Sequence, residues 1–80
     1  MSWYVYMLRC RDNSLYTGYT NDPQRRLAVH NSGNGAKYTR SRGPLELAYV
    51  EDCVDKSDAL KREYEIKSLP RTEKLKLIEK

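Results

Sequence analysis

The sequence contains no phenylalanine, although it contains seven tyrosines and one tryptophan. On a strand, phenylalanine packs into the hydrophobic core as well as tyrosine does, and it has no hydroxyl group that needs a hydrogen-bond partner. Four of the seven tyrosines lie in the short stretch from Trp3 to Thr20. Strand tyrosines often pack with only their hydroxyl groups in water, so the question is whether these hydroxyl groups also take part in chemistry.

Cysteine and histidine are scarce, which limits the cross-links and metal sites that the chain could form. Two cysteines, Cys10 and Cys53, and one histidine are too few for a disulfide framework or a four-ligand zinc site. The strand order predicted below places the two cysteines at opposite ends of a sheet, whereas a disulfide needs Cα atoms within about 7 Å. We therefore expect two free thiols and a cytoplasmic protein.

The chain also lacks any long apolar run. A membrane-spanning helix needs about 20 predominantly apolar residues, and charged residues make up 32% of this sequence. The N-terminal segment carries Arg9 and has no small-residue cleavage site of the kind that ends a signal peptide. The composition and the length of 80 residues indicate one soluble globular domain over residues 1–80, and we expect a monomer without a membrane partner.

Positive charge is concentrated in the first half of the chain. Residues 1–44 contain seven Lys or Arg and two Asp, whereas residues 45–80 contain eight Lys or Arg and nine acidic residues. A basic half suggests a polyanionic partner such as nucleic acid, although an ordinary solvated surface can have the same composition. Residues 36–43 combine charge with an aromatic ring, which suits a nucleic-acid strand with one stacked base. The candidate binding residues are Lys37, Tyr38, Arg40 and Arg42.

Hydrophobic periodicity and turn residues divide the chain into three strands and three helices. The first segment is apolar at successive positions up to Arg9, which is typical of a central strand covered on both faces. Asp22 and Pro23 have the pattern of an N-cap followed by proline at the first helical position. The predicted segments are residues 3–10, 15–20, 23–31, 44–52, 57–69 and 72–80. They predict an α+β fold of order ββαβαα, with a three-stranded antiparallel sheet, strand 1 central and helices flanking it.

The loop between the first two strands decides whether Tyr6 and Tyr16 can meet. Because side chains alternate between faces, a regular loop of two or four residues would place the two phenols on opposite faces. A three-residue loop would place them on one face, as opposite or diagonal neighbours within about 8 Å. The turn sequence around Asn13 suits a three-residue loop with that residue in the left-handed conformation. We therefore predict that the two tyrosines share a face.

Two helices carry further polar residues that could face a common site. Arg26 and His30 are four residues apart on the first helix and share one face, as an ordinary surface pair would. On the second helix, Glu63 falls within an apolar stripe and Glu65 falls on the opposite face. The stripe is predicted to contain Ala59, Leu60, Tyr64 and Ile66. A carboxylate in such a stripe is costly unless a cation binds it, and that cation is either a metal ion or Lys67 one turn later.

These residues resemble the motifs of the GIY-YIG nucleases, in particular the small stand-alone bacterial members. The segment Tyr4–Tyr6 is similar to the first motif, with tyrosine in place of its glycine, and Tyr16–Gly18 is similar to the second. Arg26 and His30 match the arginine of the following helix and the histidine one turn later, and Glu63 matches the glutamate of the next long helix. The resemblance covers nearly the whole chain, with four motifs in order at the expected spacings.

The resemblance implies a nuclease that cleaves phosphodiester bonds with one divalent metal ion, Mg²⁺ or Mn²⁺. In such a scheme Glu63 binds the metal ion and Arg26 binds the scissile phosphate. Tyr6 deprotonates or orients the attacking water, His30 accepts the proton, and Tyr16 holds water or phosphate by hydrogen bonding. The resemblance also implies a three-stranded antiparallel sheet flanked by helices, which agrees with the fold predicted above. The expected partner is nucleic acid, with DNA preferred.

Two other classes of function are compatible with the sequence. One is a nucleic-acid-binding module that keeps this fold but has little catalytic activity. The other is a protein-interaction domain that uses the terminal helical segment, residues 72–80, as its partner surface. Metal-dependent cleavage of a labelled nucleic acid would separate the nuclease from both alternatives.

Overall fold

Three strands and three helices follow one another in the order ββαβαα. The structure is a computed structural model that describes residues 2–33, 35, 39 and 42–79. The elements are β1 Trp3–Arg9, β2 Leu15–Thr20, α1 Pro23–Asn31, β3 Glu46–Cys53, α2 Lys56–Lys67 and α3 Arg71–Glu79. Within this part of the chain, no helix has the length and apolarity needed to cross a membrane. The predicted order of elements is confirmed.

Capping interactions determine where the first two helices begin. The Asp22 side chain accepts a hydrogen bond at 3.1 Å from a backbone N–H of the first turn, and Pro23 opens α1 as predicted. Asp55 does the same for α2 by accepting from the Asp58 N–H at 2.8 Å, so α2 begins one residue earlier than predicted. The predicted end of α2 at residue 69 is wrong by two residues, because Ser68 already caps the helix.

The sheet is antiparallel with the strand order β2-β1-β3, so β1 is central as predicted. Four consecutive β1 residues, from Val5 to Leu8, are buried. A strand is buried on both faces when helices cover both sides of the sheet, which explains why apolar residues occupy successive positions instead of alternating ones. The prediction of an α+β fold with flanking helices is confirmed.

The two faces of the sheet belong to two separate core clusters. On one face the buried residues come from β1 and α2, and they are Val5, Met7, Ala59 and Ile66. On the other face the buried residues are Tyr6, Leu8, Cys10 and Leu45, against which Leu27 of α1 packs. Helix α1 therefore lies on the face that carries Tyr6, whereas α2 lies on the opposite face.

The β1–β2 turn is a three-residue loop formed by residues 11–13. The Cys10 N–H donates to the Ser14 carbonyl at 2.9 Å and closes the loop. Asn13 has a φ angle of +68°, in the left-handed region that asparagine tolerates better than most residues. The predicted loop length and the predicted conformation of Asn13 are both confirmed.

The register that follows from this loop brings the two tyrosines to one face. Tyr6 pairs with Gly18 across the strands, and Leu8 pairs with Tyr16. Tyr6 and Tyr16 are therefore diagonal neighbours, and their ring centroids are 6.4 Å apart. The predicted common face is confirmed.

Helix α2 buries a narrower stripe than the sequence predicts. Ala59 and Ile66 are fully buried, but Leu60 is 41% exposed and Tyr64 is 75% exposed, so their predicted burial is wrong. A sheet of three strands offers a narrow surface, and only the residues at the centre of the contact are covered. Glu63 lies between the two buried positions in the helical sequence, on the side of α2 that the prediction assigned to it.

The two cysteines are free thiols at opposite ends of the sheet, as predicted. Cys53 pairs with Trp3 at one end, while Cys10 follows β1 at the other. The predicted strand 3 began and ended too early. Its pairing with β1 runs from Glu46 and includes Cys53.

Thr17 provides a testable prediction about stability. Its side chain is buried, and its hydroxyl group has no hydrogen-bond partner among the described residues. An unpartnered buried hydroxyl costs about 1–3 kcal/mol. Replacing Thr17 by valine removes the hydroxyl and keeps the branched shape, so we expect Tm to rise by several degrees, since 1 kcal/mol corresponds to roughly 4–8 °C in a domain of this size.

Thermal denaturation followed by circular dichroism measures this effect. The control is Thr72→Val, at an exposed position of α3, which should change Tm little. An unchanged or lower Tm for Thr17→Val would mean that the hydroxyl group has a partner in solution.

Candidate active site

A cleft of about 360 Å³ follows the edge strand β2. Its lining includes Trp3 and Tyr19 from one face of the sheet and Tyr6 and Tyr16 from the other. The remaining lining residues are Gly18, Thr20, Asn21, Arg26, Lys56 and Glu63. Four of the five predicted catalytic residues therefore line this one cleft, and they are Tyr6, Tyr16, Arg26 and Glu63.

Tyr6 depends on the glycine that faces it across the sheet. A Cβ atom at Gly18 would lie 2.7 Å from the Tyr6 hydroxyl oxygen, so a larger residue would displace the phenol. The Tyr6 hydroxyl group lies 3.0 Å from Nε2 of His30. Gly18 therefore provides the space in which Tyr6 reaches the histidine.

His30 lies behind Tyr6, is 2% exposed, and does not line the cleft itself. Its Nδ1 atom is 2.8 Å from Oγ1 of Thr39, so both ring nitrogens have hydrogen-bond partners. The Tyr16 ring centroid is 5.1 Å from the imidazole centroid. A Cβ atom at Gly35 would lie 2.2 Å from Nδ1, which shows how closely the backbone packs against the ring. The orientation of the imidazole is therefore restricted on several sides.

Burial keeps these titratable groups in their neutral forms. Burial raises the pKa of Tyr6 to about 12, although the nearby Arg26 guanidinium acts in the opposite direction. Burial also raises the pKa of Tyr16. The pKa of His30 is lowered by burial and, to a smaller extent, by the charge of Arg26. At neutral pH, Tyr6 and His30 are thus an uncharged phenol beside an uncharged imidazole.

The lowered pKa of His30 predicts a loss of stability in mild acid. The pKa is about 6.5 in an unfolded chain and lower in the folded protein, so the unfolded state binds more protons as the pH falls. The stabilisation is complete above about pH 6.5 and decreases as the pH falls from there towards the folded-state pKa.

Urea denaturation at about pH 7.5 and about pH 5.5 measures this dependence. We expect the free energy of unfolding to fall more for the wild type than for His30→Gln, which cannot bind the proton. The comparison of the two pH differences removes any general destabilisation caused by the substitution. Equal falls in the two proteins would contradict the lowered pKa.

Arg26 brings positive charge into the cleft from α1, one turn before His30. Its guanidinium lies close enough to the Tyr6 hydroxyl group to influence the pKa of that phenol. It forms no ion pair with a carboxylate of the described residues, whose ion pairs involve other cations. Its charge is therefore available to an anion in the cleft.

Glu63 reaches the same cleft from α2. Its side chain is only 18% exposed, whereas that of Glu65 is 64% exposed, so the two carboxylates differ as predicted. The Glu63 carboxylate also lies 3.8 Å from Nζ of Lys67, which is the alternative that the sequence left open. The Glu63 carboxylate thus lines the cleft and also has a counter-ion, Lys67, one helical turn away.

The predicted nucleic-acid-binding segment falls largely outside the described residues. Lys37, Tyr38 and Arg40 are not among them, so their placement stays a prediction. Arg42 is described, and its guanidinium forms an ion pair with Asp12 at 2.5 Å. Arg42 is not a lining residue of the cleft along β2.

Several residues of the site were not identified from the sequence. Trp3 and Lys56 line the cleft, with Lys56 Nζ 5.6 Å from the Trp3 ring centroid. Trp3 could have been suspected because it stands beside the first tyrosine motif. Thr39 has no comparable signal, since its contact with His30 depends on the path of the chain after α1.

Comparison with known families identifies the group of proteins that shares these motifs. The sequence model of one protein family, the GIY-YIG catalytic domain, matches residues 2–76 of this chain. The chain belongs to the GIY-YIG family. The resemblance inferred from the tyrosine motifs is therefore confirmed, and the GIY-YIG domain, which has the fold of a nuclease superfamily, extends over nearly the whole chain.

Several relatives are similar in sequence to this GIY-YIG domain over most of their length. The chain is 64% identical to a UPF0213 protein of Oceanobacillus iheyensis over 76 residues, covering 95% of this chain and 88% of the relative. It is 57% identical to a UPF0213 protein of Staphylococcus haemolyticus, covering 95% and 93%. The solution NMR structure of a UPF0213 protein from Bacillus halodurans has a TM-score of 0.63 at 49% identity, covering 99% and 84%. Sequence and structure thus lead to the same small GIY-YIG proteins.

The donor atoms of the cleft restrict the kind of metal ion that this GIY-YIG domain could hold. Among the described residues, no group of three or more His, Cys, Asp and Glu side chains is placed to bind a metal ion. In the described part of the chain, Glu63 is the one carboxylate that lines the cleft. Mg²⁺ is commonly bound through one or two carboxylates, several waters and substrate oxygens, whereas structural zinc needs four protein ligands. The cleft therefore fits a Mg²⁺-type ion and does not fit a closed zinc site.

Proposed function

We propose that the chain is a nuclease that uses Mg²⁺ or Mn²⁺ to hydrolyse phosphodiester bonds in nucleic acid, with DNA as the first substrate to test. The supporting observation is that a carboxylate, a guanidinium and two phenol groups meet in one cleft. Phosphodiester cleavage requires a positioned water, neutralisation of the phosphate charge and stabilisation of the leaving oxygen. We further propose that residues 1–80 act as one cytoplasmic, monomeric domain.

Glu63 is the residue that would hold the metal ion. Its distance of 3.8 Å to Lys67 Nζ is longer than a hydrogen bond, so its oxygens keep acceptor capacity. A divalent ion held by Glu63 would supply positive charge near the phosphate oxygens and would lower the pKa of nearby water. The burial of Glu63 supports this role, because a carboxylate with little access to solvent gains most from a bound cation.

Tyr6 and His30 would move the proton of the attacking water. When the His30 Nδ1–H donates to Thr39, Nε2 is free to accept the Tyr6 O–H. As the water oxygen attacks phosphorus, its proton passes to the Tyr6 oxygen while the Tyr6 proton passes to Nε2 of His30. The bond from phosphorus to the leaving oxygen breaks, and that oxygen takes a proton from solvent. His30 then returns to its neutral form by releasing its proton.

The raised pKa of Tyr6 supports a transfer of this kind. A phenol with a pKa of about 12 does not lose its proton to bulk water at neutral pH. Because the imidazole accepts the Tyr6 proton while Tyr6 receives the proton of the water, no free phenolate forms. The lowered pKa of His30 supports the same role, because it leaves the imidazole unprotonated and ready to accept.

Arg26 and Tyr16 would hold the phosphate. The guanidinium of Arg26 can donate two parallel hydrogen bonds to phosphate oxygens, and no described carboxylate competes for it. Tyr16 lines the cleft beside Tyr6 and can donate its O–H to a phosphate oxygen or a water. Both groups would hold the scissile phosphate near Tyr6.

A second candidate function is a nucleic-acid-binding module with little or no catalytic activity. The observation that favours it is the Glu63–Lys67 ion pair, because a carboxylate with an internal counter-ion does not require a metal ion. In that case the cleft would still bind phosphate through Arg26, without the metal ion needed to cleave it.

The two candidates are separated by incubating the purified protein with labelled nucleic acids. The substrates are single-stranded, duplex and branched DNA and RNA, each with Mg²⁺, Mn²⁺ or EDTA. The nuclease proposal expects metal-dependent products from at least one substrate and none in EDTA. Absence of products from every substrate, together with salt-dependent binding, would favour the binding module.

A further inference from the structure

A second groove continues along β2 beyond the candidate active site. It has a volume of about 430 Å³, and Tyr16 lines both the groove and the cleft. Its other lining residues are Leu15, Thr17, Lys67 and Lys74. The groove therefore begins where the candidate active site ends and runs towards the β1–β2 turn.

Two lysines from different helices line this groove, one from α2 and one from α3. Lys74 is half-buried and forms no ion pair with a described carboxylate. The described counter-ion of Lys67 is Glu63, at 3.8 Å. Among the residues that the structure describes, no acidic side chain lines the groove. Although residues 45–80 carry slightly more acidic than basic residues, this part of their surface is positive.

The position of Lys74 depends on how α3 begins. Arg71, the first residue of α3, donates a hydrogen bond at 2.7 Å to the backbone carbonyl of Asn13 in the β1–β2 turn. Residues three apart on a helix lie on neighbouring parts of one face, so this contact holds Lys74 beside β2. The lysine is thus placed by a contact between elements that are distant in the sequence.

We propose that this groove binds the phosphate that neighbours the scissile phosphate on the same nucleic-acid strand, with Lys67 and Lys74 as its cationic contacts. The proposal rests on the proposed nuclease function, because the cleft would hold the scissile phosphate itself. A strand that passes Tyr16 enters the groove directly. The ammonium groups attract the phosphate as point charges, and Leu15 and the Tyr16 ring offer apolar surface to the sugar.

The test measures binding of a fluorescent 12-nucleotide DNA or RNA to the full chain in EDTA, at several salt concentrations between about 50 and 200 mM. The variant is Lys74→Gln, and the matched control is Lys76→Gln. Lys76 is also on α3, carries the same charge, is 73% exposed and pairs with Glu73 outside the groove. Both substitutions remove one positive charge, so any difference between them reports position. Circular dichroism checks folding, and Lys74→Arg restores the charge.

We expect Lys74→Gln to weaken binding about three- to tenfold at low salt and to reduce the slope of log affinity against log salt by about one. Lys76→Gln should leave that slope unchanged, and Lys74→Arg should restore most of the affinity. Equal effects of Lys74→Gln and Lys76→Gln would overturn the proposal. Failure of Lys74→Arg to restore binding in a folded protein would also overturn it.

The outcome for the groove can be told apart from the outcome for the nuclease. Binding in EDTA does not require cleavage, so a specific effect of Lys74→Gln supports the groove even if no substrate is cut. If the wild type cleaves nucleic acid while Lys74→Gln and Lys76→Gln bind alike, the nuclease stands and the groove proposal fails.

Discussion

Replacing Glu63 by glutamine is expected to slow metal-dependent cleavage by about 10²–10⁴-fold while nucleic-acid binding stays unchanged or becomes slightly tighter. A neutral amide is a poor ligand for Mg²⁺, so the variant loses a Lewis acid worth several kcal/mol in the transition state. Each 1.36 kcal/mol corresponds to a tenfold change in rate. Binding does not suffer in the same way, because the substitution removes a negative charge beside the phosphate.

The measurement compares single-turnover cleavage rates in Mg²⁺ with binding in EDTA. The control is Glu65→Gln, which makes the same chemical change two residues away on the exposed side of α2. Thermal denaturation shows whether Glu63→Gln still folds, since Glu63 is largely buried. Cleavage at the wild-type rate would show that Glu63 is not the metal ligand. Glu51 would then be the next carboxylate to test.

Replacing Arg26 by alanine is expected to reduce both cleavage and binding, in contrast to the change at Glu63. The guanidinium would contact the phosphate in the substrate and in the transition state, so its loss affects both. We expect cleavage to slow by about 10²–10³-fold, as for the loss of one transition-state donor, and affinity to fall several-fold with a smaller salt slope. Arg26→Lys keeps the charge and loses the paired donors, so it should bind better than Arg26→Ala but cleave slowly.

Arg25 provides the matched control for this prediction. It precedes Arg26 in the first turn of α1, is exposed, and does not line the cleft along β2. Arg25→Ala removes the same charge, so it corrects for a general electrostatic effect on binding. If the two alanine variants cleave at equal rates, the assignment of Arg26 to the scissile phosphate is wrong.

The sequence predicted the positions of some residues of the candidate site correctly and the burial of others wrongly. The loop around Asn13 was sufficient to place Tyr6 and Tyr16 on one face, because a hairpin loop sets the register of its two strands. The period of α2 was sufficient to separate Glu63 from Glu65. The burial of Leu60 and Tyr64 was predicted wrongly, since periodicity does not specify how wide a surface the sheet offers to the helix.

The sequence by itself determined the order of the strands and helices, the central place of β1 and the common face of the two tyrosines. The order of elements and the common face follow from turns and caps between residues close in the chain, and the central place of β1 follows from its uninterrupted apolar run. The tertiary structure alone decided that Tyr6 is hydrogen-bonded to His30, that Thr39 holds the imidazole and that Lys67 and Lys74 line one groove beside β2. These arrangements join separate elements, so they depend on how helices pack against the sheet, which local patterns do not specify.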